Sequence, residues 1–217
     1  MKSIYKEIIV FANIALFFFT ACEISHVCPN ADGFEWYHDE NMGIIILNYA
    51  GSPGSHVVIP EQINGTPVRT IGGGAFWQSQ LVGVIIPDNV TYIWQSAFSN
   101  NLLTSVTIPD SVTEIESHAF SHNRLTSVTI SNSITSIPFA AFSQNLLTSV
   151  TIPDRVTSIE WSAFRNNLLT SIVIGADVDI EISAFGYGFE AFYEENGRLA
   201  GTYTRPDTDS TTWIWSK

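Results

Sequence analysis

A fixed spacing between phenylalanines constrains this chain more than any other feature of its sequence. Five Ala-Phe pairs recur every 22 residues, and a sixth comes one residue early; the phenylalanines are Phe76, Phe98, Phe120, Phe142, Phe164 and Phe185. In each of the first five units a Leu follows the Phe after five residues, a β-branched residue after eight and an Ile after ten. A period of this length is typical of stacked units that share one core, so the chain is predicted to form a solenoid.

Each position of the repeat has a predicted structural role. The alternating Val-x-Ile segment indicates a short strand with one buried face, and the Pro at positions 87, 109 and 153 ends it because Pro cannot donate a ladder hydrogen bond. A second short apolar pair follows, such as Val112 and Ile115. The Ala-Phe pair is expected in a return turn with Phe inside. The recurrent Asn three residues after Phe is expected to bond backbone groups of neighbouring turns as a ladder.

One such unit is not expected to fold alone. It buries about six apolar side chains at ~1.5 to 3 kcal/mol each, whereas ordering its backbone costs ~1 to 2 kcal/mol for every residue. The units are therefore predicted to fold together as a stack whose two ends are covered.

Two units identify the kind of repeat. They are Leu103-Thr-Ser-Val-Thr-Ile-Pro-Asp-Ser-Val-Thr-Glu-Ile-Glu-Ser-His-Ala-Phe120 and Leu147-Thr-Ser-Val-Thr-Ile-Pro-Asp-Arg-Val-Thr-Ser-Ile-Glu-Trp-Ser-Ala-Phe164. Both resemble the BspA-type, or treponemal-type, leucine-rich repeats of bacterial surface proteins. The resemblance implies a leucine-rich-repeat solenoid of about six units, mainly β with short helical or irregular return turns. The unit here is shorter than usual and has Asn101 and its equivalents where Cys is common, which should alter curvature and leave the fold class unchanged.

The sequence on either side of the array predicts its covers. Residues 22–55 are expected to form a lead-in and a hairpin-like cap, residues 56–185 the repeats, and residues 186–217 a small β cap. Asn64-Gly65 predicts a tight turn at the start of the array. Three strands are expected in the C-terminal cap, near residues 189–193, 202–204 and 212–215.

The first residues predict export. Lys2 and Lys6 precede an uncharged apolar run over residues 8–21, which is short for a bilayer core of about 30 Å. The end of the run, Phe19-Thr20-Ala21-Cys22, resembles the bacterial lipobox. This resemblance implies that residues 1–21 are a lipoprotein signal peptide and that Cys22 carries the lipid anchor, at the surface of a bacterial cell. An ordinary cleaved signal remains open, and in that case Cys22 and Cys28 could pair.

Composition and motifs give little support to chemistry or to nucleic-acid binding. Nine Lys and Arg residues are scattered among 21 Asp and Glu residues, for a formal charge of −12, which disfavours a phosphate backbone as partner. His118 and His122 have metal-ligand spacing but occupy variable repeat positions, the glycines at 72–74 fit a repeat turn, and Asp207 with Asp209 fits a polar turn. No Gly-x-Ser-x-Gly or His-Glu-x-x-His motif occurs. The chain is therefore predicted to be no enzyme and to need no cofactor or metal.

The predicted surface offers two candidate sets of partner-binding residues. Because side chains alternate along a strand, hydroxyl residues should line the outer strand face; they are Thr104, Ser105, Thr107, Thr126, Ser127, Thr129, Thr148, Ser149 and Thr151. Trp94 and Trp161 stand in return-turn positions that other units fill with polar residues, and tryptophan is enriched in binding surfaces. A purely structural role stays open for both sets, since Thr and Ser keep a strand face soluble and a Trp can tuck against the next coil.

These observations favour a non-catalytic binding module. The family resemblance implies an adhesin-like lipoprotein, acting as a monomer, that recognises a protein of the host matrix or cell surface and meets the membrane through its lipid anchor. Two other functions stay open at this point. One is a periplasmic or envelope scaffold without a host ligand, and the other is an ice- or glycan-binding array suggested by the hydroxyl rows.

Overall fold

The repeats coil into two parallel ladders of very short strands. The computed structural model describes residues 27–29, 33–186 and 188–217, so the predicted signal peptide and Cys22 lie outside the described residues. The elements, in chain order, are β1 (Val27–Pro29), β2 (Phe34–Asp39), β3 (Gly43–Tyr49), β4 (His56–Val58), β5 (Gln62–Ile63), β6 (Thr66–Ile71), β7 (Gly83–Ile85), β8 (Tyr92–Ile93), β9 (Ser105–Thr107), β10 (Glu114–Ile115), β11 (Ser127–Thr129), β12 (Ser136–Ile137), β13 (Ser149–Thr151), β14 (Ser158–Ile159), β15 (Ser171–Ile174), β16 (Asp179–Ile180), α1 (Phe189–Glu195), β17 (Gly201–Thr204) and β18 (Ile214–Ser216). The predicted solenoid of about six units is confirmed.

The first ladder, here called the front ladder, contains the predicted Val-x-Ile strands β4, β7, β9, β11, β13 and β15. Its strands pair as β4 with β7, β9 with β11 and β13 with β15, in register, so that Val106 lies beside Val128 and Val150 beside Ile172. The second apolar pair of each unit forms the side ladder, which contains β6, β8, β10, β12, β14 and β16 and which the sequence did not reveal as strands. Each coil therefore has two strand edges, and in the side ladder strand pairing joins β6, β8 and β10 in one run and β12, β14 and β16 in another.

The phenylalanines form one stacked column through the core, here called the Phe spine. The five successive ring pairs from Phe76 to Phe185 have centroids 4.9, 5.2, 5.6, 5.3 and 5.1 Å apart, and their planes are within 12° of parallel. All six are buried, and the Ala before each allows the neighbouring backbone to come close. A continuous core shared between coils is what the 22-residue period predicts.

Buried asparagines form the predicted ladder beside the spine. Asn145 is 4% exposed; its Nδ2 donates to the carbonyls of Phe120 and Phe142 at 3.0 and 3.1 Å, and its Oδ1 accepts from the Leu125 N–H at 3.0 Å. Asn101, Asn123 and Asn167 repeat this pattern. Each Asn thus satisfies turn groups of two successive coils that water cannot reach.

The return turn is irregular rather than helical. Two successive turns are closed by the bonds from Ala97 N to Trp94 O and from Ser99 N to Ser96 O. The residue two positions before each spine Phe has a positive φ, and in the first five units the residue two positions after it does too. Around Phe120 these residues are His118, with a φ of 61°, and His122, with a φ of 54°. The two histidines are therefore not on one helical face, which the spacing argument for a metal pair would require.

A hairpin covers the first coil, as predicted. Strands β2 and β3 are antiparallel, β1 pairs with the outer side of β2, and β3 adds in parallel to β6 of the side ladder. The rings of Phe34 and Tyr49 lie 6.2 and 5.4 Å from Phe76 and close that end of the spine. The turn between β5 and β6 has positive φ at both Asn64 and Gly65, the conformation that an Asn-Gly hairpin turn requires.

The last coil is covered differently from the prediction. The segment expected to be the first of three cap strands is helix α1, because Phe189 and Tyr193 are one helical turn apart and both face the core. Phe189 meets Phe185 edge to face at 4.8 Å and ends the spine. The other two expected strands form, with β17 antiparallel to β15 and β18 antiparallel to β17.

Candidate functional site

The outer face of the front ladder carries the predicted hydroxyl residues. All nine, from Thr104 to Thr151, are exposed, while the side chains between them point into the core. The hydroxyls differ in their bonding. Thr126 Oγ1 donates to Thr104 O at 3.2 Å, and two coils later Thr170 Oγ1 donates to Thr148 O at 3.3 Å, so these two hydroxyls bond to the ladder itself.

Eight of the nine hydroxyls have no such bond, and six of those eight stand on the strands β9, β11 and β13. These six are here called the hydroxyl grid, and they belong to Ser105, Thr107, Ser127, Thr129, Ser149 and Thr151. Within the described part of the chain, none of them makes a side-chain hydrogen bond. They form three rows of two; the rows on the paired strands β9 and β11 are about 4.8 Å apart and the two members of a row about 6.6 Å apart, the ordinary spacings of a sheet. The structure therefore presents a rigid set of donors and acceptors to an outside partner.

The hydroxyl grid is uncharged and has apolar borders. No charged side chain stands on β7, β9, β11, β13 or β15, although the chain as a whole is strongly acidic. Val58 and Ile85 lie beside each other at one border, both about 60% exposed, and Val173 and Ile214 are exposed at the other. An uncharged face has no carboxylate to desolvate when a partner covers it.

The two candidate tryptophans lie away from the hydroxyl grid, in the return turns. Trp94, four residues before a spine Phe, is half-buried. Trp161, three residues before Phe164, is 47% exposed. Its ring stacks on that of Phe139 in the preceding coil, with the centroids 5.3 Å apart and the planes at 12°. The position three before each spine Phe is here called the flank row; its members are Gly73, Gln95, Ser117, Phe139, Trp161 and Ile182. The structure thus brings Trp161 together with Phe139, and not with Trp94.

Glutamates beneath the flank row were not recognised from the sequence. Three glutamates each come directly before the flank-row residue of their own coil; they are Glu116, Glu160 and Glu181. Each carboxylate accepts the backbone N–H of the flank-row residue one coil earlier. The bonds come from Gln95 N at 2.9 Å, Phe139 N at 2.8 Å and Trp161 N at 2.9 Å. The recurrence of Glu at one slot of three units was the signal available in the sequence.

The same slot holds Pro138 in the fourth unit, and the side ladder is interrupted there. Glu116 N and Glu160 N each donate to the preceding coil, to Ile93 O and Ile137 O at 2.9 Å, but a Pro has no N–H for this bond. Strands β10 and β12 accordingly belong to separate sheets. A groove of about 350 Å³ opens between them, lined by polar residues that include Glu114, Glu116 and Glu160.

Burial shifts the pKa of several titratable groups in the described residues. Burial, and secondarily the nearby His122, lowers the pKa of His118, whose ring meets Phe139 edge to face at 4.7 Å. Burial raises the pKa of Tyr203 in the C-terminal cap to about 12. In residues 27–29, 33–186 and 188–217, no three His, Cys, Asp or Glu side chains are grouped to hold a metal ion. The same ranges contain no helix with the length and hydrophobicity to cross a membrane.

Two ladders of short strands, a Phe spine and an asparagine ladder define a leucine-rich-repeat solenoid, a class that generally serves as a scaffold for binding proteins rather than as an enzyme. Six copies of the BspA type leucine rich repeat region match residues 69–189, and the chain belongs to this family. A search of curated proteins finds no match.

Solved structures of bacterial leucine-rich-repeat proteins are similar to this chain. The leucine-rich-repeat protein TpLRR of T. pallidum has 33% identity and a TM-score of 0.55, over 63% of this chain and 65% of that one. A leucine-rich cell surface protein of Faecalibacterium prausnitzii has 26% identity and a TM-score of 0.41, over 68% of this chain and 54% of that one. The chain therefore matches less than two thirds of the length of either protein.

Proposed function

We propose that this protein is a non-catalytic, adhesin-like binding module of the bacterial cell surface that recognises a protein of the host matrix or of another cell. The hydroxyl grid carries this proposal, because six exposed hydroxyls without an internal partner are held in a fixed pattern on an uncharged face. A leucine-rich-repeat solenoid presents such a face as one extended platform.

The hydroxyl grid suits a protein partner on energetic grounds. Each hydrogen bond across it contributes a net ~0.5 to 1.5 kcal/mol, so several must form together. Strand residues are already ordered, which lowers the entropic cost of binding. The exposed Val58, Ile85 and Val173 at its borders add apolar contacts, and a polar centre with apolar edges can pair with an extended segment or a sheet face of another protein.

The anchoring part of the proposal rests on the sequence alone. Residues 1–21 would be removed and Cys22 acylated. Growth of cells with a labelled fatty acid tests this: the wild-type protein should take up label and a Cys22→Ser variant should not. Protease treatment of intact cells then separates surface display, in which the protein is degraded, from an envelope scaffold that the outer layers protect.

A capture experiment tests the binding face. The full chain in mild detergent is immobilised and exposed to purified extracellular-matrix proteins, alongside a triple variant with Thr107, Thr129 and Thr151 changed to Ala. The triple variant should lose at least tenfold in affinity. A matched control changes Thr113, Thr135 and Thr157 to Ala, since these threonines are also exposed and spaced by one coil but lie by the side ladder. Equal losses in both triple variants would contradict the assignment of the binding face.

A further inference from the structure

We propose that the C-terminal part of the flank row, Phe139, Trp161 and Ile182, is a second docking strip, and that its occupant is an arginine-bearing segment of a protein partner. The inference rests on the proposed protein-binding function and adds the chemistry of what is bound. It concerns a different surface from the hydroxyl grid.

The strip is apolar where the fold does not require it. The same slot is Gly73, Gln95 and Ser117 in the first three coils, so a small or polar residue satisfies the turn equally well. Trp161 is nevertheless 47% exposed and Ile182 81% exposed. Phe139 and Trp161 stack on each other, and within the described residues Trp161 makes no second aromatic ring contact.

Two carboxylates are bonded to the backbone of the strip. Glu160 Oε2 accepts the backbone N–H of Phe139, and Glu181 Oε2 accepts that of Trp161, so both carboxylates are held against the strip. Within the described residues, the Oε1 atom of each makes no further hydrogen bond or ion pair. Two fixed carboxylates therefore each keep one oxygen for a ligand.

The positive charges nearby do not neutralise these carboxylates. Arg198 pairs with Asp179 and Glu194, at 3.8 and 3.7 Å. Arg165 follows Trp161 in the turn, is exposed, and forms no ion pair with a described acidic residue. The groove that opens at Pro138 is lined by Glu160, and its lining also includes the acidic residues Glu114 and Glu116. The strip is thus a set of aromatic faces within an acidic surface.

Arginine matches this combination better than other groups. Its planar guanidinium stacks on aromatic rings and is attracted by their negative faces, and it donates hydrogen bonds in a fork that fits a carboxylate. A neutral sugar could also lie on the rings, but it would gain nothing from the negative charge. A purely apolar segment would cover the Oε1 atoms of Glu160 and Glu181 without offering them a hydrogen bond, which is costly.

Peptide binding tests the strip. The probe is an acetylated, amidated hexapeptide of alternating Leu and Arg, and its matched control replaces each Arg by citrulline, which has the same shape without the charge. Isothermal titration against the full chain in mild detergent should show at least tenfold tighter binding of the Arg peptide. Trp161→Ala should weaken that binding at least fivefold, and so should the double change Glu160→Gln with Glu181→Gln, in which each amide oxygen can still accept the backbone bond.

The controls distinguish the strip from general attraction to an acidic protein. Trp161→Ala leaves the net charge unchanged, and Trp77→Ala, which removes a tryptophan 52% exposed in the first coil, should leave binding as in the wild type. Any one of three results would overturn the proposal. The citrulline peptide could bind as tightly as the Arg peptide, Trp77→Ala could lose as much affinity as Trp161→Ala, or chitohexaose could show the Trp161-dependent binding in place of the Arg peptide.

The same titration keeps the two proposals separate. The triple variant of the hydroxyl grid should bind the Arg peptide like the wild type. If matrix capture fails while Trp161-dependent peptide binding persists, only the proposed function falls. If capture succeeds through the hydroxyl grid while the peptide does not bind, only the docking strip falls.

Discussion

A single Asn-to-Asp change in the asparagine ladder should make the stability of the stack depend on pH. Asn145→Asp keeps the size of the side chain and the oxygen that accepts the Leu125 N–H. It replaces the amide that donates to the Phe120 and Phe142 carbonyls by a second oxygen. Burial and the two facing carbonyls both disfavour the charged form, so the pKa of the new carboxyl should be raised in the folded protein.

The size of the effect follows from this shift. The carboxyl has a pKa of about 3.9 in the unfolded chain, and burial raises such groups by roughly 3 units or more. At about 1.4 kcal/mol per unit, the charged form costs about 4 kcal/mol at neutral pH. Because the folded pKa is the higher one, this cost is absent below about pH 4 and grows as the pH rises through the window from about 4 to 7.

Urea unfolding followed by circular dichroism measures this cost. The free energies of unfolding of the wild type, Asn145→Asp and Asn145→Ala are compared at pH 5 and pH 7.5. The loss caused by Asn145→Asp should grow by about 2.5 kcal/mol between the two pH values, since about 1.5 kcal/mol is already lost at pH 5. The loss caused by Asn145→Ala, about 2 to 3 kcal/mol from the unpaired Leu125 N–H and the lost bonds, should not change with pH. An Asp variant whose loss is independent of pH would refute the role assigned to the two donated bonds.

Three further changes test the other structural assignments. Phe120→Ala removes the third of the six spine rings and should cost about 3 to 5 kcal/mol, seen as a lower unfolding midpoint. Pro138→Glu supplies the missing N–H and a carboxylate that can accept the Ser117 N–H, and it should raise the thermal midpoint by a few degrees, corresponding to about 1 kcal/mol. Gly72→Ala places a methyl group 2.5 Å from the Ile46 carbonyl, where the N-terminal hairpin joins the first coil, and should cost about 1 to 3 kcal/mol with faster proteolysis near residues 33–50.

Matched substitutions control these three. Phe120→Leu should cost less than Phe120→Ala, and equal losses would show that the ring contributes little to the stack. Pro138→Ala restores the N–H without the carboxylate and should give a smaller gain, while a lower midpoint for Pro138→Glu would contradict the account of the interrupted ladder. Gly73→Ala is the control for its neighbour, since the added methyl would be 3.5 Å from the nearest atom outside the adjacent residues; an equal loss there would refute the close approach at Gly72.

Repetition explains which parts of the structure the sequence could predict. The roles of Phe120 and Asn123 were recognisable because the same side chains return at the same slots in several coils, so a shared environment explains them all. Helix α1 occurs once, and its Phe189 and Tyr193 could equally belong to a strand when taken alone. The side ladder was missed because its strands are only two residues long in most coils, too short for an alternating pattern.

The candidate site was predictable only in part. Exposure of the nine hydroxyl residues follows from alternation along a strand, but which hydroxyls are free depends on bonds such as the one from Thr126 to the coil before it. The stacking of Trp161 on Phe139 could be derived from their common slot, one coil apart. The glutamates beneath them were harder to recognise, because Trp94 and Pro138 interrupt the Glu pattern.

The two covers of the stack touch only its terminal coils, and this has a genetic consequence. The hairpin β2–β3 contacts the first coil, and α1 with β17–β18 contacts the last, while every coil between them meets near-identical surfaces above and below. An in-frame duplication or loss of one internal unit would therefore change the length of the molecule without exposing its core. Recombination between such similar stretches of the gene could lengthen or shorten the protein's reach in a single event.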